Sequence, residues 1–313
     1  MFARVLLLGL LGCHPIRFAA HRAEDRLADR GYTERTLVQG DLRLHYWKGG
    51  TGPPVVLIHG FGGNGVFTWE AQLPALEAEH TVLMPDLLWF GDSLADAPYT
   101  LDRQVDALFA LLDAEGLSVT DLVGISYGGF VSLQALSRAP ERFDRVAIVD
   151  SPGPVYTPED YAGLLQRMGV ADPAELFVPD SPEKAERLMD LVWYTDQPIP
   201  GFVMRDVMEE MLTPNPDARR ALMADLRARQ GHTPPLPTDR GARTRVIWGE
   251  QDEIFPLPLG HRLAAEMGTE ISVIPAAGHA PNAESPDAFN AALRLLWSDG
   301  TEPAGLGSAG DLR

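Results

Sequence analysis

Cysteine is almost missing from this chain: Cys13 is the only one in 313 residues. An internal disulfide needs two and a thiolate zinc cluster needs more, so both are excluded. Basic residues are also scarce. Against 44 Asp and Glu stand 26 Lys and Arg, a net charge of -18, which repels phosphate backbones and argues against a nucleic-acid partner. A neutral or cationic substrate is the easier expectation. No run of about twenty apolar residues occurs, so no mature membrane-spanning helix is predicted. No internal repeat is visible.

What is present is a full hydrophobic complement, 45% of residues, on a chain long enough for one large domain with an insertion or for two small ones. The most informative stretch is Asp121-Leu122-Val123-Gly124-Ile125-Ser126-Tyr127-Gly128-Gly129-Phe130. An apolar run breaks into Gly-x-Ser-x-Gly, and helical spacing follows. That reads as strand, sharp turn and helix, with Ser126 at the apex in a strained backbone conformation that only small neighbours permit. A serine hydroxyl is a weak nucleophile at neutral pH, so Ser126 needs a base to take its proton and donors for an oxyanion.

Around this turn the chain alternates. Residues 36–38 and 42–46 flank Gln39-Gly40-Asp41 as a hairpin at a sheet edge. Pro53 to Ile58 is a buried strand that ends in the glycine-rich loop His59-Gly60-Phe61-Gly62-Gly63. A helix begun by a Thr68 cap runs to Ala78, and the strand Thr81 to Pro85 leads into the bulky loop Asp86 to Ser93. A helix from Leu101 to Ala114, the Ser126 turn and the strand Arg145 to Val149 complete the pattern of a parallel sheet covered on both faces. Residues 152–240 interrupt it with short helical patterns, many prolines and six of the nine methionines, and are expected to form an inserted helical cap. Regularity returns over 241–298. The core is thus 36–151 plus 241–298, an α/β fold with a mostly parallel central sheet and helices on both faces. The Gly-rich polar tail 299–313 is expected to be disordered.

The base is expected to be His279, which follows Gly278 at the C-terminal end of the last strand, where parallel sheets place their chemistry. His14 and His21 fall in a segment, 14–35, that reads as an exposed short helix or linker; His45, His80, His232 and His261 are expected to be structural. The carboxylate that orients the imidazole is expected to be Asp252, in Gly249-Glu250-Gln251-Asp252. Glu250 and Glu253 are neighbours in sequence, and Asp150 ends a strand of its own.

Taken in order, His59-Gly60-Phe61-Gly62, Gly124-Ile125-Ser126-Tyr127-Gly128-Gly129, Gly249-Glu250-Gln251-Asp252 and Gly278-His279 resemble the α/β-hydrolase fold family from about Leu37 to Trp297. Their order, nucleophile then acid then histidine, is the one that fold uses. The resemblance implies an oxyanion hole from the backbone N–H groups of Phe61 and Tyr127, and a bracing role for His59. Ser126 at the turn sets the chain apart from relatives that carry aspartate there, the haloalkane dehalogenases and epoxide hydrolases. The expected function is a serine carboxylic-ester hydrolase, an esterase or small lipase, which requires no cofactor and no metal. Its substrate would be a small ester, and the Met-rich aromatic cap suits an apolar acyl chain. Phe61, Trp89 and Phe90 are expected to wall the pocket. The alternatives are a carbon–carbon bond hydrolase of dienone ring-cleavage products and a non-catalytic binding protein on the same scaffold.

Residues 1–13 have the order of an export signal: Arg4, then Val5 to Leu11, then Gly12-Cys13. Leu10-Leu11-Gly12-Cys13 resembles the lipobox of bacterial lipoproteins, although Leu11 stands where a small residue is usual. That resemblance implies a lipid on Cys13 and a place in the cell envelope. An apolar start or a helix packed on a cytoplasmic body is the other reading. Nothing in the sequence sets an oligomeric state.

Overall fold

The computed structural model describes residues 14–196, 198–230 and 243–298. The expectations for Cys13, for the tail 299–313, for His232 and for residues 231–242 at the junction of cap and core lie outside these.

Eight strands form one sheet in the order β1-β2-β4-β3-β5-β6-β7-β8. They are β1 (Thr33–Gln39), β2 (Leu42–Gly50), β3 (Pro54–Ile58), β4 (Thr81–Pro85), β5 (Thr120–Ile125), β6 (Phe143–Val149), β7 (Thr244–Gly249) and β8 (Ile271–Ile274). The β1–β2 hairpin and the β2–β4 pair are antiparallel, and the other pairings are parallel. Every residue of β5 is buried, as its run of apolar residues requires for a strand covered on both faces. Two apolar layers lie on the two faces: one packs Val56, Ile58, Leu122 and Ile148 against Leu108 and Val131, the other packs Val55, Leu57 and Val123 against Leu73 and Phe289. The strand order reverses at β3, which has β4 on one side and β5 on the other. The loops leaving β3 and β5 therefore emerge side by side, at the point where open parallel sheets bind ligands.

The described part of the cap is built on short helices over Pro158–Met168, Ala174–Phe177, Pro182–Val192, Gly201–Val207 and Pro216–Ala228, with a wider helical turn over Met208–Leu212. Buried Leu164, Met168, Met204 and Leu222 join the same apolar layer as the sheet. The cap is also fastened by Arg219, which is 1% exposed and has its guanidinium 4.4 Å over the Phe90 ring. It donates to the Trp89 carbonyl at 3.2 Å and to the Met211 carbonyl at 2.5 Å. Burial pushes its pKa down to about 10, still high enough to keep the charge at neutral pH.

Two local expectations are corrected. The segment expected as an exposed helix or linker contains a 15-residue helix, Pro15–Asp29, packed on the body. Its apolar Ile16, Ala23 and Leu27 recur at helical spacing and are buried. Asp206 of the cap accepts the Ile16 N–H, and Arg26 and Arg30 each clasp a glutamate of the core, Glu70 and Glu77. The helix expected from a Thr68 cap starts earlier, at Gly65, because the Asn64 side chain accepts the Phe67 N–H at 2.8 Å. It ends at Trp69, tightens to a 3₁₀ turn over Glu70–Gln72 and resumes over Leu73–Leu76, with Pro74 in that first turn, where no N–H is needed.

Candidate active site

Ser126 follows β5 with φ +53° and ψ -120°, a region that side chains other than glycine rarely occupy. The crowding around it accounts for the flanking glycines. A Cβ on Gly124 would lie 2.3 Å from the Gly128 carbonyl, and one on Gly128 would lie 2.5 Å from the Ile58 and His59 carbonyls. The helix Tyr127–Arg138 begins at the next residue, and its first N–H, on Tyr127, has no intrahelical acceptor.

His279 and Asp252 converge on this serine. His279 Nε2 is 2.8 Å from Ser126 Oγ, and His279 Nδ1 is 2.8 Å from Asp252 Oδ2. The other carboxylate oxygen accepts the Ile254 and Phe255 N–H groups at 2.8 and 2.9 Å. Asp252 is thus held by the turn it starts, and it fixes the imidazole with Nδ1 protonated and Nε2 free to accept. The cap also takes part: the Val192 carbonyl accepts the His279 backbone N–H at 2.8 Å.

The other carboxylates are placed differently. Glu250 and Glu253 are exposed. Asp150 is wholly buried at the end of β6, with φ +44°, and it accepts the Gly249 N–H at 2.8 Å while its second oxygen has no partner. Burial, and then the adjoining charge of Asp252, push its pKa well above the usual carboxylate range. It stands behind the carboxylate that holds the imidazole, with burial favouring its protonated form.

On the other side of Ser126 stands the loop after β3. His59 is completely buried; its Nδ1–H donates to the Gly60 carbonyl at 2.7 Å and its Nε2 accepts the Leu87 N–H at 2.8 Å. Burial holds its pKa down, so it is a neutral strut between two loops. The strut keeps Gly60 so close to the nucleophile that a Cβ there would lie 3.2 Å from Ser126 Cβ. Phe61 comes next, its ring edge-to-face with those of Phe90, Tyr127 and Phe177 at 5.0, 5.8 and 5.7 Å.

Two cavities meet at Ser126. The larger, ≈ 200 Å³, runs between the cap and the β3 loop and is lined by Leu188, Met189, Trp193, Val207, Met211 and Leu212, and by Ile16 of the N-terminal helix. The smaller, ≈ 50 Å³, is bordered by Phe130, Tyr156, Tyr161, Leu164 and Phe255, with Arg227 and Gln230. Phe61 and Phe177 belong to both walls. Of the three expected wall residues, Trp89 and Phe90 line neither cavity. Trp89 takes a left-handed conformation, φ +68°, and its indole N–H donates to the Ala95 carbonyl at 2.9 Å. Phe90, fully buried, supports Phe61 from behind and carries Arg219. The walls supplied by the cap and by Ile16 had no comparable signal in the sequence beyond scattered aromatics and the helical spacing of Ile16, Ala23 and Leu27.

Among the described residues, His14, Asp206 and Glu209 form one group with metal-ligand spacing. Asp206 is already engaged there by His14 at 3.0 Å and by the first turn of the N-terminal helix.

Residues 55–292 match the model of the alpha/beta hydrolase family. The 2-hydroxymuconate semialdehyde hydrolase of a Pseudomonas species is 30% identical, over 74% of this chain and 81% of its own. Lipase 3 of a Moraxella species is 29% identical, over 80% of this chain and 79% of its own. The dihydrolipoyllysine-residue acetyltransferase component of the acetoin cleaving system of Cupriavidus necator is 30% identical over 81% of this chain, which spans 66% of that longer relative.

Proposed function

Because the chain belongs to the alpha/beta hydrolase family, we propose that it is a serine hydrolase acting on small carboxylic esters. The observation that carries this is the Ser126–His279–Asp252 relay, two contacts of 2.8 Å, opening onto an apolar cavity. His279 Nε2 takes the Ser126 proton as Oγ attacks the ester carbonyl, and Asp252 stabilises the imidazolium that forms. The Tyr127 and Phe61 N–H groups receive the oxyanion, the first of them a free helix donor. His279 then protonates the departing alcohol, and water repeats the cycle to release the acid. Labelling by a fluorophosphonate probe tests the nucleophile: Ser126→Ala should abolish it in a protein with unchanged thermal stability. Labelling that persists in that variant would remove the proposal, and a folded wild-type protein that never labels would favour the non-catalytic reading.

A second reading, carbon–carbon bond hydrolysis of a dienone, uses the same relay. The Pseudomonas relative supports it. Comparing turnover of aryl esters and of a dienone separates the two.

We also place the protein at the cell envelope through a lipid on Cys13, on the strength of Leu10-Leu11-Gly12-Cys13. Cys13→Ser should then move it from the detergent phase to the aqueous phase. Unchanged partitioning refutes the anchor.

A further inference from the structure

The two cavities at Ser126 differ in chemistry as well as size. His279 stands in the wall of the larger only, and the Phe255 ring, edge-on to that imidazole at 5.5 Å, borders the smaller in its place. Ester cleavage makes this difference matter. As the Ser126 Oγ–carbon bond forms, the hydroxyl proton passes to Nε2. As the carbon–alkoxide bond breaks, the same proton must pass from Nε2 to the alkoxide oxygen. Asp252 holds Nδ1, so the ring cannot turn to deliver the proton elsewhere. The alkoxide oxygen must therefore lie on the imidazole side of the tetrahedral carbon, and the chain it carries must run into the cavity that the imidazole borders. The acyl chain takes the remaining direction, past Phe61 and Phe177.

We propose that the larger cavity receives the alcohol arm of the substrate and the smaller one the acyl arm, so that the preferred substrates are short-acyl esters of long apolar alcohols. This rests on the ester-hydrolase reading and reverses the expectation, drawn from the cap's composition, that the apolar room serves an acyl chain. It also weighs against dienone cleavage. There the fragment released on the imidazole side carries a carboxylate, yet among the described residues lining the larger cavity none but His279 can carry a charge, and Arg227 borders the smaller.

The test is a matched pair of series on the wild-type protein, followed by titration of released acid: acetates of linear alcohols from ethanol to decanol, and ethyl esters of linear acids from acetic to decanoic. Each buried methylene is worth about fourfold, so kcat/KM should rise at least about a hundredfold along the alcohol series before levelling. Along the acyl series it should fall at least about tenfold beyond roughly four carbons, given the ≈ 50 Å³ available. Leu164→Ala, which widens the smaller cavity, should move the acyl limit outward by about two carbons without moving the chain length at which the alcohol series levels. A rise along the acyl series with a flat or falling alcohol series overturns the assignment while ester hydrolysis stands; an equal response to both does the same. If no member of either series is cleaved, the assignment and the ester reading fall together.

Discussion

Two buried histidine–aspartate pairs lie among the described residues, and they differ in what meets the second ring nitrogen. His45 Nδ1 is 2.8 Å from Asp86 and His279 Nδ1 is 2.8 Å from Asp252, with the histidines 7% and 6% exposed. Each aspartate also accepts two backbone N–H groups, Gly65 and Asp92 for Asp86, Ile254 and Phe255 for Asp252. The pairs part at Nε2. For His45 that nitrogen meets Glu34 at 3.0 Å, a second carboxylate; for His279 it meets a hydroxyl beside a cavity. Burial works against a charge on His45, but Asp86 and then Glu34 outweigh it and raise the pKa to about 9. Asp86, for which burial is likewise opposed by the hydrogen bond and charge of His45, is held below the usual range. One pair is a closed ion pair that ties β2 to the loop after β4. The other leaves a nitrogen free to take a proton. A buried His–Asp contact is therefore no signature of a base; the partner of the second nitrogen decides.

The sharpest way to break this contrast is to make one substitution in both pairs. Asp252→Asn should lower kcat on an aryl ester by about 10⁴-fold, because the amide stabilises the wrong tautomer and cannot support the imidazolium. Asp86→Asn should change kcat by less than about tenfold, and instead cost about 3–5 kcal/mol in a urea titration at pH 7, the loss expected when one member of a buried ion pair is removed. If the two variants exchange these phenotypes, the assignment of roles is reversed.

Asp150 sharpens the contrast from behind the relay. Its raised pKa means that the native state holds its proton more tightly than the unfolded chain, which releases it above about pH 4, so this group lowers stability as pH rises above about 4. Asp150→Asn keeps an oxygen for the Gly249 N–H and an N–H where the acid proton was. It should retain activity within about tenfold and be more stable than wild type at pH 7, an advantage that vanishes near pH 4. A loss of turnover as deep as that of Asp252→Asn would make Asp150 the acid of the relay.

The chemical centre was legible because parallel strands are short apolar runs whose ends are marked by glycine and polar residues: the ends of β3, β5, β7 and β8 carry Phe61, Ser126, Asp252 and His279 in turn. The sequence favoured Asp252 but left Asp150 as a rival, since each follows one of two neighbouring strands. A backbone φ of +44° that turns Asp150 onto Gly249 N–H separates them. The cavity walls were less legible still. They come from segments far apart along the chain, such as Ile16 and Val207, which the hydrogen bond from Ile16 N–H to Asp206 holds together. Trp89 and Phe90 were misplaced because nearness to the nucleophile loop does not tell which way a ring turns: left-handed Trp89 sends its indole to Ala95, and Phe90 packs behind Phe61.

The smallest effect tests the premise that His45 is charged. With its pKa raised from 6.5 to about 9, the stability it contributes is complete below about pH 6.5 and is lost as pH rises through about 9. Glu34 is 61% exposed at its side chain, so its share is screened by water. Glu34→Gln should therefore lower the His45 pKa, read by proton-resolved NMR titration, by less than about one unit, and should change stability by less than about 1 kcal/mol. A wild-type His45 that titrates near 6.5 would mean that Asp86 holds a neutral ring, and the two pairs would then differ only in position.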